Sequence, residues 1–262
     1  MTIVLIAALL YLTAVVLLVR TVDKDARRGL RAWHAPAIAA VVLHGATHLL
    51  AWRTAGGTDL HFFAALSLVA LGMALLTLGV GVRGRMSALG VVVFPIAAAT
   101  LIAYANYGRH AAEDLHWHLQ LHAWCALLAY ATLAIAALLA IMLWAQERAL
   151  RRREFHRWLR ALPPLTELET LLFRTIAVGF VLLTATLLTG VLFVQDFFAQ
   201  HLLHKTVLSV LSWLAFGALL LGRWRHGWRG AMAVRWTLAA MALLVLAFFG
   251  SKFVLELVLQ RT

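Results

Sequence analysis

The sequence predicts an all-α fold, a polytopic membrane helix bundle with about eight transmembrane helices. Hydrophobic residues make up 63% of the 262 residues and the mean hydropathy is +0.88, whereas about 45–50% of a soluble domain is apolar. The apolar residues gather in runs long enough to cross a bilayer, which takes about 20 residues. Because a segment in lipid must satisfy its own backbone hydrogen bonds, such runs predict helices.

The runs define the elements in order along the chain. Charged loops separate the spans, which cover approximately residues 3–19, 34–52, 62–82, 86–107, 119–145, 171–194, 206–224 and 235–258. The first run lacks the basic start and the small-residue cleavage site of a secretory signal peptide, so we expect a retained anchor. We find no soluble segment and expect a single transmembrane domain over residues 1–262.

The loops carry an uneven charge that predicts the orientation of the helices. Arginine and lysine concentrate in the loops after spans 1, 3, 5 and 7, whereas the other loops carry one basic residue each, Arg53, Arg109 and Lys205. Because Lys/Arg-rich loops stay in the cytoplasm, both termini are predicted to be extracytoplasmic. The net charge of +12 therefore points to the lipid bilayer and its anionic headgroups as partners, with no nucleic acid.

The longest predicted cytoplasmic loop contains a short amphipathic segment at about residues 151–170. Pro163 and Pro164 end its basic stretch, and Thr166 and Glu169 follow. Their spacing fits a capping box with Thr166 as the N-cap and Glu169 at N3. The pattern predicts a short interfacial helix that leads into span 6.

Histidines gather on the predicted outer side. Nine of the twelve lie there: His44, His48, His61, His110, His116, His118, His122, His201 and His204. His44 and His48 are four residues apart and share one helix face, and His118 and His122 repeat this spacing. Because histidine is the commonest metal ligand, the distribution indicates a site for haem or a metal ion.

Haem and zinc make different demands on such a site. Zinc takes three or four ligands, commonly mixed with cysteine or carboxylate, while haem takes one or two axial ligands and an apolar slot. Aromatic residues are frequent at the outer ends of the spans, which favours haem over zinc. The alternative is an ordinary interfacial belt of Trp and Tyr with solvated loop histidines. The single cysteine, Cys125, excludes an intramolecular disulfide and a C-x-x-C-H haem attachment site.

The candidate binding residues differ in depth. His44 and His122 are the deepest, so each is a ligand or another functional polar group, because a polar side chain within a span is costly. His204 has helix capping as its alternative, and His48 and His118 are weaker candidates. Lys252 is a further candidate, for binding a haem propionate or an anionic lipid. Its alternative is a surface ion pair with Glu256. The sequence contains no Ser-His-Asp order, Walker loop or H-E-x-x-H motif, so we expect no self-contained catalytic site.

Several segments together resemble a known family. They are the His122-x7-Tyr130 spacing in span 5, the stretch from His204 to Trp213, Gly227-Trp228-Arg229-Gly230, and Phe249-Gly250-Ser251-Lys252-Phe253. In this combination the chain resembles the CcsA/HemX-like cytochrome c assembly family, in particular its short eight-span YpjD-like branch of bacterial inner-membrane proteins. The resemblance covers nearly the whole chain.

The resemblance implies a multi-pass protein of the bacterial inner membrane that handles haem. His122 matches the family's external haem-ligand histidine. The family's tryptophan-rich outer segment has no counterpart, because residues 195–204 contain no tryptophan. Its histidine at the cytoplasmic end of span 7 falls on Leu221, and its last external histidine falls near Gln260. These departures argue against the haem transport path of full family members.

Three hypotheses follow from the sequence. The first is a membrane protein that binds haem b near its periplasmic face, with His122 and His44 as axial ligands and His204 and His118 in reserve. It would assist haem-handling or cytochrome maturation proteins. The second is a non-haem scaffold or regulatory partner of another membrane protein. The third, a metal or proton-coupled transporter, ranks last because the spans contain almost no acidic residues.

Overall fold

The computed structural model describes residues 1–23, 32–81, 88–107, 116–153, 163–193 and 200–253. Within them, eight helices are long and apolar enough to cross a membrane. The predicted all-α membrane fold with eight spans is thus confirmed. The extracytoplasmic placement of the termini stays a prediction, since it rests on the loop charges alone.

The helices extend beyond most of the predicted spans. They are α1 (Thr2–Asp23), α2 (His34–Ala55), α3 (Phe62–Gly81), α4 (Ala88–Tyr107), α5 (Trp117–Arg151), α6 (Leu165–Phe193), α7 (Gln200–His226) and α8 (Gly230–Val245). The last continues as a π-helical segment, Leu246–Gly250. At 35 residues, α5 is longer than the about 20 residues that a bilayer requires. Its last turns therefore extend past the apolar span and carry charged residues.

The helices form two compact units, each described by itself. Unit 1 comprises Met1–Leu115 with His156–Pro163, and unit 2 comprises His116–Phe155 with Pro164–Thr262. In unit 1, α1 packs against α2 and α4, and α3 packs against α2 and α4. The four helices of unit 1 thus enclose a core in which Trp33, Tyr11 and Phe94 are the largest fully buried side chains.

Unit 2 has the same ring of neighbours, because α5 packs against α6 and α8, and α7 packs against α6 and α8. The contact between α5 and α6 is especially close at Gly179. A Cβ atom at this position would lie 2.5 Å from Cδ2 of Leu133, a fully buried core residue. A larger residue at Gly179 would therefore force the Leu133 side chain to move where α6 crosses α5.

The predicted capping box at the start of α6 is wrong. The helix begins at Leu165, directly after the two prolines, and the carbonyl of Pro164 accepts hydrogen bonds from the N–H groups of Glu167 and Leu168. Thr166 thus lies inside the first turn rather than at the N-cap. The Glu169 carboxylate accepts from Arg229 Nε at 3.2 Å and from the Gly230 N–H at 3.3 Å, which joins α6 to the start of α8. Most of the remaining predicted segment, residues 154–162, lies outside the described residues.

Candidate functional site

His122 lies in the second turn of α5, and its orientation is set by α6. Its Nδ1 is 3.1 Å from Thr189 Oγ1. The Thr189 hydroxyl donates its one proton to the carbonyl of Ala185, at 2.8 Å. Thr189 Oγ1 therefore accepts from His122 Nδ1–H, and the lone pair of the imidazole is on Nε2. A histidine that ligates a metal usually has its other nitrogen held in this way.

His122 lines a partly open cavity of about 250 Å³ inside unit 2. All four helices of the unit contribute to its wall, which is mainly apolar. Its apolar residues include Ala126, Ala129, Leu183, Leu187, Leu244 and Phe248. Small-molecule pockets have about 300–1,000 Å³, so this cavity would enclose part of a large planar ligand and leave its edge at the open side.

Tyr130 lies two turns along α5 from His122 and lines the same cavity. Its hydroxyl donates to the carbonyl of Leu244, at 2.5 Å. Leu244 lies two residues before the π-helical segment, where the normal helical hydrogen bonding changes. π-Helical turns occur often at functional sites. The His122–Tyr130 spacing thus places a possible ligand and a fixed aromatic side chain on one wall.

The start of α7 gives the cavity a polar edge. Lys205, Thr206 and Ser209 line it there, so a cationic group and two hydroxyls face a largely apolar space. Such an arrangement suits a flat apolar ligand that bears a carboxylate at its rim. Lys252, the predicted propionate ligand, instead has its Nζ 5.5 Å from the centroid of the Phe248 ring. Phe248 itself lines the cavity, whereas Lys252 contacts Phe248 and is not part of the lining.

The other candidate histidines of unit 2 do not line this cavity. His118 lies one turn before His122 and stacks on Phe193, with ring centroids 5.4 Å apart. His204 is exposed at the start of α7. Both belong to the same unit as His122, whereas His44 and His48 belong to unit 1. In the described part of the chain, no group of three or more His, Cys, Asp or Glu side chains is placed to hold a metal ion.

In unit 1, His44 and His48 belong to a buried hydrogen-bonded network. His44 is fully buried, with its Nδ1 3.2 Å from the Tyr11 hydroxyl and its Nε2 2.9 Å from Ser67 Oγ. Ser67 Oγ also lies 2.9 Å from His48 Nε2. The His48 ring stacks on Tyr104, with centroids 4.4 Å apart. Both nitrogens of His44 are therefore engaged within unit 1.

The direction of the bonds in this network follows from the tyrosine. Among the residues that the structure describes, His44 Nδ1 is the acceptor within reach of the buried Tyr11 hydroxyl. Tyr11 then donates to His44 Nδ1, so His44 carries its proton on Nε2 and donates to Ser67. The Ser67 hydroxyl donates in turn to His48 Nε2, which leaves the His48 proton on Nδ1. The hydrogen bonds thus form one chain in which Tyr11 of α1 donates to His44 of α2, His44 to Ser67 of α3, and Ser67 to His48 of α2.

Sequence reasoning did not select two residues that the structure makes important. Thr189 fixes the His122 ring, and Ser67 joins the two histidines of unit 1. Each is a polar side chain within or at the end of an apolar helix, which marks it as costly to place. The sequence carries that signal but does not reveal the partner, since the partner lies on another helix.

These features define a polytopic membrane protein with a largely apolar cavity that the His122 imidazole lines. The sequence profile of the cytochrome c assembly protein family matches residues 30–259, and the chain belongs to this family. It is a multi-pass protein of the inner membrane, as its eight spans and its relatives show.

The chain is similar to three curated proteins over part of its length. It is 36% identical to inner membrane protein YpjD of Escherichia coli strain K12 over 137 residues, which cover 52% of either chain. It is 38% identical to an uncharacterized 28.8 kDa protein of Azospirillum brasilense over 143 residues, 54% of this chain and 53% of that one. It is 32% identical to cytochrome c biogenesis protein CcsA of Prochlorococcus marinus strain MIT 9515 over 89 residues, 33% of this chain and 28% of that one.

The matched stretch thus spans about half the length of the first two relatives and less of the third. No solved structure matches the chain.

Proposed function

We propose that the chain binds haem b in the His122 cavity and acts as an accessory in haem handling or cytochrome c maturation at the periplasmic face. One observation carries this proposal: the His122 side chain, held by Thr189 with its Nε2 lone pair available, lines an apolar cavity that has a lysine at its edge. The residues present fit haem, which needs an axial nitrogen, an apolar slot and a partner for its carboxylates.

Each residue of the cavity has a distinct part in this proposal. His122 would supply a nitrogen ligand, with its ring held in the required tautomer by Thr189. Lys205 would pair with a haem carboxylate at the cavity edge, and the apolar walls would exclude water. Bound haem would supply a redox-active iron, the chemistry needed if it is cargo for an apocytochrome or a fixed electron carrier.

The second axial ligand is a separate part of the proposal. The sequence favours His44, with His204 and His118 as alternatives. His44 would have to give up one of two hydrogen bonds, each within a buried network, and breaking such a bond costs about 1–3 kcal/mol. His118 lies one turn from His122 in the same helix, and His204 one residue from Lys205. These two would keep the site within unit 2.

The family supports the role in cytochrome c maturation. Cytochrome c assembly proteins and the CcsA relative are named for this process. We extend the role to this chain as an accessory rather than a synthase, because the tryptophan-rich segment of full members has no counterpart in the sequence. The loop charges support the periplasmic location, because they predict that the His122 end of α5 is outside.

A specific observation favours the rival hypothesis of a non-haem scaffold. In unit 1 the histidines that look like ligands in the sequence are already engaged with Tyr11 and Ser67. Histidines that hold helices together need no cofactor. On this hypothesis, His122 and Thr189 form a similar link between α5 and α6, and the cavity is a site for lipid or for a partner helix.

A visible absorption spectrum of the detergent-purified protein, expressed with ample haem, separates the two hypotheses. We expect a Soret band in the wild type, with sharp reduced α and β bands if two ligands bind, and loss of the band in His122→Ala. His226→Ala, which changes an exposed histidine at the other end of α7, should leave the spectrum unchanged. A colourless wild type after haem loading would contradict the haem proposal and favour the scaffold.

A further inference from the structure

A second cavity of unit 2 lies far along α5 from His122. It has about 310 Å³, is open on one side, and is bordered by the last turns of α5 and the first turn of α8. Its lining consists of Trp144, Glu147, Arg148, Arg151, Arg152 and Ala231. His122 stands near the start of α5 and these residues stand at its end. The cavity therefore has no part in the proposed haem site.

The lining of this cavity is strongly basic. It includes three arginines and one glutamate, and the arginines follow one another at spacings of three and one along the end of α5. Residues three or four apart share a helix face, so Arg148 lies beside both Arg151 and Arg152. The start of α8 contributes Ala231 to the lining, and the Gly230 N–H beside it donates to the Glu169 carboxylate. The N-cap residue of α8, Arg229, makes no side-chain capping hydrogen bond.

The same cavity borders an apolar surface. Trp144 is 48% exposed, and Ile141, one turn earlier on α5, is 44% exposed. The Arg148 guanidinium lies 5.5 Å from the centroid of the Trp144 ring. Tryptophan prefers the interface between hydrocarbon and water, so this pair marks the depth at which lipid headgroups lie. The arginines are thus placed just beyond the hydrocarbon.

We propose that this cavity binds the phosphate of an anionic phospholipid headgroup. Guanidinium groups bind phosphate oxygens in pairs of parallel hydrogen bonds, and three arginines line this one cavity. The exposed face of Trp144 and Ile141 would contact the acyl chains. The loop charges predict that this end of α5 is cytoplasmic, where anionic lipids attract basic residues. A soluble anion would use the arginines but gain nothing from the apolar border.

Native mass spectrometry of the full chain in detergent tests the proposal. The protein is titrated with phosphatidylglycerol or with phosphatidylcholine of the same acyl chains. We expect the wild type to bind phosphatidylglycerol at least about tenfold more tightly, because only this lipid carries net charge. Each basic residue near an anionic surface contributes about 1 kcal/mol, or about fivefold in affinity. The variant R148Q/R151Q/R152Q should therefore lose roughly a hundredfold in phosphatidylglycerol affinity.

A matched control separates a site from general surface charge. R20Q/R174Q/R225Q removes the same charge from three exposed arginines on other helices, and it should keep the wild-type affinity. Glu147→Gln should bind phosphatidylglycerol about fivefold more tightly, a gain that misfolding cannot produce. Equal binding of the two lipids by the wild type, or equal losses in the two triple variants, would overturn the proposal.

Discussion

At the scale of single residues, the hydrogen bond from His122 to Thr189 sets the chemistry of the candidate site. A ligand histidine needs its lone pair on the nitrogen that faces the iron, and Thr189 secures this by accepting the other N–H. Outer partners of this kind usually change metal affinity by about 10–100-fold. Thr189 is therefore a positioning residue, whose effect should be separable from that of His122 itself.

Thr189→Val should weaken haem binding by about 10–100-fold while the saturated protein keeps its Soret band. The reason is that valine has the shape of threonine but cannot accept the Nδ1 proton. Haem titration followed by absorbance gives the affinity. Thr170→Val is the control, because Thr170 is an exposed residue of the same helix whose hydroxyl also donates to a carbonyl, that of Thr166. An equal loss in both variants would assign the effect to helix stability.

The network of unit 1 leads to a prediction about stability. Tyr11→Phe leaves the buried Nδ1 of His44 without its donor, so we expect the free energy of unfolding to fall by about 1–3 kcal/mol. Unfolding in a titration with denaturing detergent measures this change. Tyr107→Phe removes a hydroxyl from a side chain that is 68% exposed and should change stability little. An unaffected Tyr11→Phe variant would mean that the network is not formed.

The sequence predicts part of this residue-scale picture. The spacing of His44 and His48 places both on one face of α2, and their depth shows that each needs a partner or a ligand. The partners themselves are not readable from the sequence, because Tyr11 and Ser67 are 33 and 23 residues from His44. The packing of the helices determines whether a buried histidine is free to bind a ligand or is hydrogen-bonded to a neighbouring helix.

At the scale of helices, the close contact of α5 and α6 depends on a missing side chain. Gly179→Ala would place a Cβ atom 2.5 Å from Leu133, whose own burial leaves it no room to move. Overpacking of this kind costs about 1–3 kcal/mol. Gly79→Ala is the matched control, since within the described residues no atom other than its own helix backbone lies within 4 Å of its new Cβ, and alanine is favoured over glycine within a helix.

The same detergent titration compares these two glycine variants. We expect a lower midpoint for Gly179→Ala and an unchanged or slightly higher midpoint for Gly79→Ala. Equal midpoints would show that α5 and α6 have space to separate. Any haem content of Gly179→Ala is a second readout, because α5 and α6 also carry His122 and Thr189.

Helix existence was predictable, while helix ends were less so. Composition alone requires helices wherever a long apolar run meets lipid, which is why all eight appear. The predicted interfacial helix does lead into span 6, but it begins at Leu165, one residue before the predicted N-cap Thr166, because the helix starts directly after Pro164. Glu169 looked like a cap in the sequence. Its carboxylate instead meets Arg223 and Arg229, because the folded chain brings the arginines of the α7–α8 connection to it.

At the scale of the whole molecule, the orientation predicted from the loop charges agrees with the side of the membrane that each proposed site requires. The His122 cavity lies at the ends of helices predicted to be outside, and the arginine cavity lies at ends predicted to be inside. The order of helices within each unit was not readable from the sequence, since any of several pairings would satisfy the same hydropathy pattern. Orientation, by contrast, depends only on the loops.

Cysteine labelling tests that orientation directly. The chain has one cysteine, Cys125, so a Cys125→Ser background allows single cysteines to be added. We expect Arg53→Cys, exposed in the last turn of α2, to react in intact spheroplasts with a maleimide that cannot cross the membrane. Arg225→Cys, exposed in the last turn of α7, should react only after the membrane is opened. The reverse pattern would place the His122 cavity in the cytoplasm and contradict a periplasmic role, while labelling of both sites in intact cells would contradict the positive-inside orientation itself.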